Sequence, residues 1–384
     1  MYLLLLSVIY LAFISLGLPD SLLGAAWPVM RQSFDVPVSY MGFISMIISG
    51  GTIISSLMSE RITRLLSTRA VTTVSVFLTA AALFGFSTVT EFWQLCLWGI
   101  PYGLGAGAID AALNNYVSLH YSSRHMSWLH CFWGVGTIVS PYIMSYALAH
   151  SGWNSGYRTV SFIQLGIVIV LAVTLPVWKI NGVESSSSDK EKVVGIKGAV
   201  SIKGVPCLLI GFFSYCAAEA TAMFWTSSYL VGVRNIPEKT AAAFASLFFI
   251  GITSGRFAAG FISDRLGDRN MIRLGTAIAL LGTLFIMLPV RSDIPALAGF
   301  ITVGIGCAPI YPCIIHSTPS NFGAENSRAI IGIQMASAYV GSTFMPPLFG
   351  LIANHISLRL MPFYMAAFFL LMIFMTEKTF ARNN

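Results

Sequence analysis

The chain has 384 residues, of which 56% are hydrophobic and only 10% are charged. Soluble globular proteins carry about 25% charged residues, so this composition excludes the soluble, nucleic-acid-binding and disordered classes. Its net charge of +7 is spread along the chain without a basic block, which indicates membrane topology and no nucleic-acid partner. Twelve bilayer spans of about 20 residues would use roughly 240 residues. The composition therefore predicts a multi-pass protein of the lipid bilayer.

Long apolar segments with few charges define twelve predicted transmembrane helices. They lie at 3–29, 38–58, 69–89, 93–117, 126–149, 158–178, 204–230, 241–262, 271–290, 295–316, 327–352 and 360–376. The first segment lacks a basic start and exceeds a signal-peptide core, so we interpret it as a span. Residues 180–202 contain a serine run and a charged run that cannot bury enough apolar surface for a span. The predicted fold is all-α, with six-helix bundles at 1–179 and 203–384 joined by a flexible cytoplasmic linker at 180–202.

The distribution of Lys and Arg predicts the orientation. With the N-terminus inside, 15 Lys and Arg lie on the cytoplasmic side and six on the outer side, and Arg256 falls inside the eighth span. This asymmetry places both termini in the cytoplasm. The expected location is the cell membrane, specifically a bacterial inner membrane, and the expected state is a monomer.

Several motifs of soluble chemistry are absent from the sequence. The six cysteines lie in apolar runs without a CxxC motif, so no metal site is predicted. There is no GxxxxGK[ST] for ATP and no HExxH for a metalloenzyme. The chain is predicted to have no cofactor and not to be an enzyme.

The two halves repeat short motifs in the same order. Gly136–Pro141 recurs as Gly341–Pro346 at a shift of 205 residues, and Gly103-Leu-Gly105 recurs as Gly304-Ile-Gly306 at a shift of 201. Ser59-Glu60-Arg61 recurs as Ser263-Asp264-Arg265 at a shift of 204. Three matches in order at corresponding spans predict a duplicated six-helix unit.

The run from Gly260 to Arg269 (GFISDRLGDR) resembles the cytoplasmic motif of the major facilitator superfamily of secondary transporters. The resemblance covers nearly the whole chain. It implies a gating role for the motif residues, in which the glycine permits close helix approach and the aspartate pairs with an arginine or a helix N-terminus. The residues that match are Gly260, Asp264, Arg265, Gly267 and Arg269, with Glu60 and Arg61 in the N-terminal copy, where Ser56 replaces the glycine.

A narrower resemblance is to the fucose–galactose–glucose proton symporters and the related glucose permeases. It rests on the run Gly103–Asn115 (GLGAGAIDAALNN), on Ala218-Glu-Ala-Thr221 and on an acid in the first span. The family usually has Glu where this chain has Asp110. The resemblance implies that Asp110 serves both sugar and proton, and that Asp20 serves mainly the proton.

Three carboxylates lie deep in the predicted spans: Asp20, Asp110 and Glu219. A charge at mid-membrane costs at least about 2.5–3.5 kcal/mol, so such residues usually face a cavity or a partner. A carboxylate there can bind and release a proton, as a proton symporter requires. The alternative for each acid is a buried ion pair or a helix-capping role.

The surroundings of Asp110 favour a binding site. Asn114 lies at i+4 on the same helix face. His130 lies as far after the middle of the inner loop as Asp110 lies before it, which predicts that the two share one depth. Trp133, at i+3 from His130, offers a ring to the apolar face of a sugar, although a satisfied histidine and a packing tryptophan are the simpler interpretations.

The other acids have less specific surroundings. Pro19 before Asp20 predicts either a broken helix that exposes backbone groups to a cavity or a simple kink filled by neighbours. Glu219 lies on a stripe that is otherwise typical of packing, but a central Glu there favours a cavity, so Glu219 is predicted to bind substrate. The remaining predicted substrate-binding residues are Asn115, Trp225, Tyr311, Gln334 and Tyr339.

The predicted function is proton-coupled uptake of a sugar, specifically a hexose, by alternating access. H⁺ is the expected coupling ion, with Na⁺ as the alternative. A second hypothesis is a drug or metabolite exporter of the same superfamily, which could use an acid for proton antiport. A receptor or scaffold is disfavoured, because isolated acids at mid-membrane would be costly without a role.

Overall fold

The computed structural model describes residues 2–180, 194–290 and 292–381, which are almost entirely helical. The α-helices are α1 (Tyr2–Asp20), α2 (Leu22–Ser33), α3 (Met41–Leu57), α4 (Ser59–Phe86), α5 (Phe92–His120), α6 (Ser123–His150), α7 (Trp153–Val173), α8 (Leu175–Ile180), α9 (Gly195–Ser201), α10 (Val205–Arg234), α11 (Glu238–Leu266), α12 (Asp268–Met287), α13 (Ile294–Cys307), α14 (Ile310–His316), α15 (Thr318–Phe322), α16 (Ala324–His355) and α17 (Met361–Ala381). Short 3₁₀ turns occur at Val38–Tyr40 and Leu358–Leu360.

Each predicted span coincides with one helix or with two consecutive helices. The first span is formed by α1 and α2, the sixth by α7 and α8, and the tenth by α13 and α14. Within the described residues, nine segments are long and apolar enough to cross a membrane, and α3 is a shorter apolar helix. The predicted all-α membrane fold is confirmed.

The chain divides into two compact units. The first unit contains residues 1–116 and 129–195, and the second contains residues 117–128 and 196–384. The segment 117–128, which includes the end of α5 and the start of α6, therefore belongs to the second unit by its contacts.

In the first unit, α1 and α6 cross at two glycines. A Cβ atom at Gly17 would overlap the carbonyl oxygen of Trp133, and one at Gly136 would overlap the carbonyl oxygen of Ile14 and meet the amide nitrogen of Leu18 at 2.8 Å. Only glycine permits this approach of two helix backbones. The crossing fixes Trp133 of α6 beside the end of α1.

The second unit repeats this packing. A Cβ at Gly341 of α16 would meet the carbonyl oxygen of Phe213 at 2.6 Å and the amide nitrogen of Ala217 at 3.4 Å, both in α10. Each glycine thus contacts a carbonyl and an amide four residues apart on its neighbouring helix. This packing supports the internal duplication that the glycine and proline motifs predict.

A second pair of crossings is repeated in the same way. Gly103 of α5 packs on Gly51 and the Ile48 carbonyl of α3, and Gly304 of α13 packs on Gly251 and the Phe248 carbonyl of α11. Because glycine has no Cβ atom, the backbones of these helices come into direct contact where they cross. None of them has the strand–turn–helix setting of a nucleotide-binding loop.

Two prolines each leave a backbone carbonyl oxygen without its helical N–H donor, and a side chain from another helix or turn donates to that oxygen. Pro19 has no N–H for the Ser15 carbonyl four residues earlier, and Gln164 of α7 donates to that oxygen at 2.7 Å. Pro141 likewise leaves the Thr137 carbonyl, to which the Ser21 hydroxyl donates at 2.7 Å. Of the two alternatives at Pro19, the Ser15 carbonyl follows the second, because the neighbouring helix α7 satisfies it; the helix is nevertheless interrupted between Asp20 and Leu22.

Part of the predicted linker is helical. Residues 181–193, which include its serine and charged runs, lie outside the described residues, but Gly195–Ser201 forms α9. Ala199 on this helix is fully buried, whereas Ile196 and Val200 are exposed. For Gly195–Ser201 the structure thus differs from the predicted flexible linker, because these residues form a helix that is anchored by one buried alanine.

Candidate functional site

Asp20, at the end of α1, is exposed and accepts two hydrogen bonds from neutral donors. The hydroxyl of Tyr102 donates to its Oδ1 at 3.1 Å, and the indole Nε1 of Trp133 donates to its Oδ2 at 2.8 Å. Among the described residues, no cationic side chain forms an ion pair with Asp20. Its charge is therefore stabilised by dipoles alone.

Asp110, Asn114 and His130 form a buried chain of hydrogen bonds. Asn114 Nδ2 donates to Asp110 Oδ1 at 2.7 Å, and His130 Nε2 lies 3.1 Å from Asn114 Oδ1. Because this oxygen is an acceptor, the geometry places the His130 proton on Nε2. All three side chains are at most 5% exposed. The structure thus brings Asp110 and His130 together through Asn114.

Helix α6 connects these two clusters. His130 of the Asp110 chain and Trp133, which donates to Asp20, are three residues apart and share one face of α6. The ring of Phe13 packs edge-on against His130 with centroids 5.4 Å apart. Asn115 is buried next to Asn114 on α5. The first unit therefore contains a buried chain with one carboxylate and an imidazole, linked through α6 to an exposed carboxylate with an indole donor.

In the second unit, Glu219 forms an ion pair that the sequence analysis left out. Arg256 Nη2 of α11 lies 3.3 Å from Glu219 Oε1, and the two side chains are 5% and 14% exposed, respectively. The hydroxyl of Tyr215 is 2.8 Å from Glu219 Oε1 and 2.9 Å from the carbonyl oxygen of Cys307, two acceptors that share its proton. The charge of Glu219 is therefore balanced within the second unit.

The two acids occupy equivalent positions in the duplicated units. Gly136 contacts the amide of Leu18 in α1, and Gly341 contacts the amide of Ala217 in α10. Asp20 lies two residues after Leu18, and Glu219 lies two residues after Ala217. Equivalent acids thus have different partners, because Asp20 has neutral donors and Glu219 has a guanidinium.

The other predicted residues of the second unit make mostly structural contacts. The Trp225 indole donates to the Pro346 carbonyl at 2.9 Å, and the Tyr311 hydroxyl lies 3.4 Å from Met335 Sδ. Gln334 is fully buried and accepts a hydrogen bond from Thr318 at 3.0 Å. Tyr339 is half-buried.

The cytoplasmic motif of the second unit has the geometry that its resemblance implies. Asp264 accepts from the Arg124 amide at 3.0 Å and lies 3.3 Å from Arg124 Nε, so it pairs with both an arginine and the first turn of α6. Trp128 covers Gly260 so closely that a Cβ there would overlap the indole. Gly267, at φ 75°, turns the chain from α11 into α12.

The remaining motif residues divide between ion pairs and exposed positions. Arg269 pairs with Glu377 at 2.8 Å, whereas Arg61 and Arg265 are exposed. Glu60 accepts from the amides of Val194 and Gly195 at 2.9 and 3.0 Å within the first unit. The N-terminal copy thus keeps an acid bound to backbone N–H groups even without the glycine.

The sequence analysis missed Tyr102 and Arg256. Arg256 had a usable signal, because a lone arginine inside a span needs a carboxylate partner. Tyr102 had none, because a tyrosine in an apolar helix is typical of packing. Among the described residues, no cluster of His, Cys, Asp and Glu could hold a metal ion.

Comparisons with known proteins identify the family. The model of the Major Facilitator Superfamily matches residues 9–332 and 207–383. The chain belongs to this superfamily, whose members are membrane transporters and not enzymes.

Two curated relatives are similar over most of their length. Bypass of stop codon protein 6 of Saccharomyces cerevisiae is 22% identical, with 91% of this chain and 77% of that protein covered. The glucose/mannose transporter GlcP of Bacillus subtilis is 21% identical, with 89% and 86% covered.

Solved structures of transporters share the fold. The E. coli fucose:proton symporter FucP has a TM-score of 0.76 at 16% identity, over 98% of this chain and 99% of that one. The proton:xylose symporter XylE has 0.80 at 12%, over 97% and 94%. The human organic anion transporter MFSD10 has 0.76 at 12%, over 96% and 98%. At these identities the likeness shows the fold alone.

Proposed function

We propose that this transporter is a proton-coupled sugar symporter, with a hexose as substrate, that works by alternating access. The observation that carries the proposal is Asp20, an exposed carboxylate that contacts neutral donors, one of which, Trp133, lies one turn of α6 from His130 of the Asp110–Asn114–His130 chain. The printed names of GlcP, FucP and XylE support a sugar as substrate.

Asp20 is the proposed proton carrier. Its donors Tyr102 and Trp133 are neutral, so no fixed positive charge holds it ionised. Protonation leaves one carboxyl oxygen to accept from Trp133, while the Tyr102 hydroxyl can turn to accept. Both protonation states therefore fit the same surroundings, as coupling requires.

Asp110, Asn114 and His130 are the proposed hydroxyl-binding groups of the first unit. Carboxylate and amide oxygens accept from sugar hydroxyls, and imidazole and amide N–H groups donate to them. Trp133 offers an aromatic ring beside them. A sugar bound here would contact the indole that also binds Asp20, which gives a physical route between sugar and proton.

Glu219 is the proposed hydroxyl acceptor of the second unit. Its ion pair with Arg256 fixes the carboxylate and balances its charge, so that a neutral substrate can bind without bringing a counter-ion. The predicted contacts of Asn115, Trp225, Tyr311, Gln334 and Tyr339 with substrate remain part of this proposal, as do H⁺ as the coupling ion, a monomeric state and cytoplasmic termini in a bacterial inner membrane.

Proteoliposome transport tests the proposal. Purified protein should catalyse saturable counterflow of at least one radiolabelled hexose, and an inward proton gradient should drive its accumulation. Absence of a saturable signal across a broad sugar panel would refute sugar transport. Proton-driven efflux of another solute would identify the alternative, an exporter that uses Asp20 for antiport.

A further inference from the structure

A pair of side chains outside the proposed transport site has the geometry of a proton-binding site. His316, the last residue of α14, places Nδ1 at 2.6 Å from Asp268 Oδ2 and Nε2 at 3.0 Å from the carbonyl oxygen of Tyr121. The His316 and Asp268 side chains are only 20% and 14% exposed. All of these residues belong to the second unit.

Both ring nitrogens of His316 face acceptors. A neutral imidazole has one N–H and could donate to only one of them, leaving a lone pair against the other oxygen. The geometry is satisfied by an imidazolium that donates twice, or by a protonated Asp268 that donates to Nδ1. Either arrangement holds one proton more than neutral histidine with carboxylate.

The bound proton joins three parts of the second unit. Asp268 begins α12, His316 ends α14, and Tyr121 lies between α5 and α6. Ser123 donates to the other oxygen of Asp268 at 2.7 Å and lies 3.7 Å from Cys313 Sγ. We propose that Asp268 and His316 form a proton-binding site whose protonated form holds residues 121–123 against α12 and α14.

The charges around the pair come from few elements. Asp264 of α11 lies near His316, and it is paired with Arg124 of α6 at 3.3 Å, beside His125. Tyr311 and Cys313 are the other titratable groups on α14. The described helices α13, α14 and α15 and the first turns of α10 contain no Asp, Glu, Lys or Arg. On α12, Arg269 and Arg273 both pair with Glu377 of α17.

When the pair loses this proton, His316 has a single N–H. If that N–H lies on Nδ1, the Nε2 lone pair faces the Tyr121 carbonyl; if it lies on Nε2, the hydrogen bond to Tyr121 is no longer charge-assisted. The segment 117–128 should then open more often. Because the Lys and Arg count predicts this side to be cytoplasmic, the site would respond to cytoplasmic pH. The inference does not depend on which solute the protein carries.

Hydrogen–deuterium exchange of the full chain in lipid nanodiscs, corrected for intrinsic exchange rates, tests the proposal. Peptides covering 117–128 should lose protection as pH rises, with the same midpoint as the chemical-shift change of the His316 ring in NMR spectra. In His316→Gln, exchange at pH 6.5 should be at least about tenfold faster than in the wild type. His355→Gln, at the exposed end of α16, is the matched control and should behave as the wild type.

Asp268→Asn provides a second variant if His316→Gln does not fold, and it should accelerate exchange in the same segment. The proposal is overturned if a folded His316→Gln protein protects 117–128 as well as the wild type does. It is also overturned if neither the His316 ring nor the Asp268 carboxyl of the wild type changes chemical shift between pH 5 and 9. Neither measurement uses a sugar, so failure here is distinct from failure of sugar transport.

Discussion

Replacement of Asp20 by Asn should separate proton coupling from substrate binding, if Asp20 carries the proton as proposed. Asp and Asn side chains have the same shape, and both hydrogen-bond partners of Asp20 can also bond to Asn. The amide oxygen can accept from the Trp133 indole, which only donates, and the amide nitrogen can donate to the Tyr102 hydroxyl, which also accepts. The local hydrogen bonds are kept, while the ability to carry a proton is lost.

The expected size of the effect follows from one titratable group. With one proton per sugar, a gradient of one pH unit is worth about 1.4 kcal/mol, which allows roughly tenfold accumulation. Asp20→Asn should reduce the accumulation ratio to 1. Counterflow at equal pH should stay within about threefold of the wild type, a change of about 0.7 kcal/mol or less.

Proteoliposomes with and without a pH gradient measure both quantities on the same preparation. Asp35→Asn is the matched control, because Asp35 is exposed between α2 and α3 at φ 50°, a conformation that Asn also adopts. It should accumulate sugar as the wild type does. If Asp20→Asn also accumulates sugar against its gradient, Asp20 is not the coupling site. If it loses counterflow while remaining folded, its role is in binding.

Three further substitutions test the other clusters. Asp110→Asn should impair both equilibrium sugar binding and gradient-driven uptake, as measured by calorimetry and transport, because it alters the buried hydrogen-bond chain. Glu219→Gln should remove the ion pair with Arg256 and weaken sugar binding by at least about tenfold through loss of a charge-assisted bond. Wild-type affinity in a folded variant would assign Glu219 to packing. Gln164→Leu should lower the free energy of unfolding by about 1–3 kcal/mol, because the Ser15 carbonyl loses its donor. The loss should be smaller in a Pro19→Ala background, where the N–H of the introduced alanine can donate to the Ser15 carbonyl. An equal loss in both backgrounds would contradict this pairing.

The helices could be predicted because the bilayer leaves few alternatives. An apolar segment that crosses it must satisfy its backbone internally, so hydropathy alone locates helices with errors of a few residues. Where prediction failed, a neighbouring helix decided the outcome. Pro19 signals a freed carbonyl, but the sequence does not say that Gln164, 149 residues away from Ser15, reaches it.

The candidate site was predictable only where contacts are local in sequence. The Asp110–Asn114 bond spans one turn, and its approach to His130 follows from the geometry of one helical hairpin. The Glu219–Arg256 pair requires a particular rotation of two helices about their axes, which apolar segments with weak periodicity do not specify. A lone arginine in a span indicates that an acidic partner exists, but the sequence does not identify that partner.

The duplicated packing shows how the two units diverged in chemistry. The shifts of 201 and 205 residues relate Asp110 to Tyr311 and His130 to Met335. The equivalence is geometric as well, because Tyr311 contacts Met335 at 3.4 Å just as Asp110 reaches His130 through Asn114. The second unit keeps the contact but replaces an acid and an imidazole with a phenol and a thioether.

This replacement bears on where proton coupling resides. A phenol and a thioether do not change charge near neutral pH, whereas a carboxyl and an imidazole do. Of the two equivalent acids, Glu219 is balanced by Arg256, while Asp20 contacts only neutral donors. Of this pair, the acid that can take up a proton without breaking an ion pair is therefore the one in the first unit. Proton binding and hydroxyl recognition can evolve separately in such an arrangement, because one unit can change substrate contacts while the other keeps the titrating carboxylate.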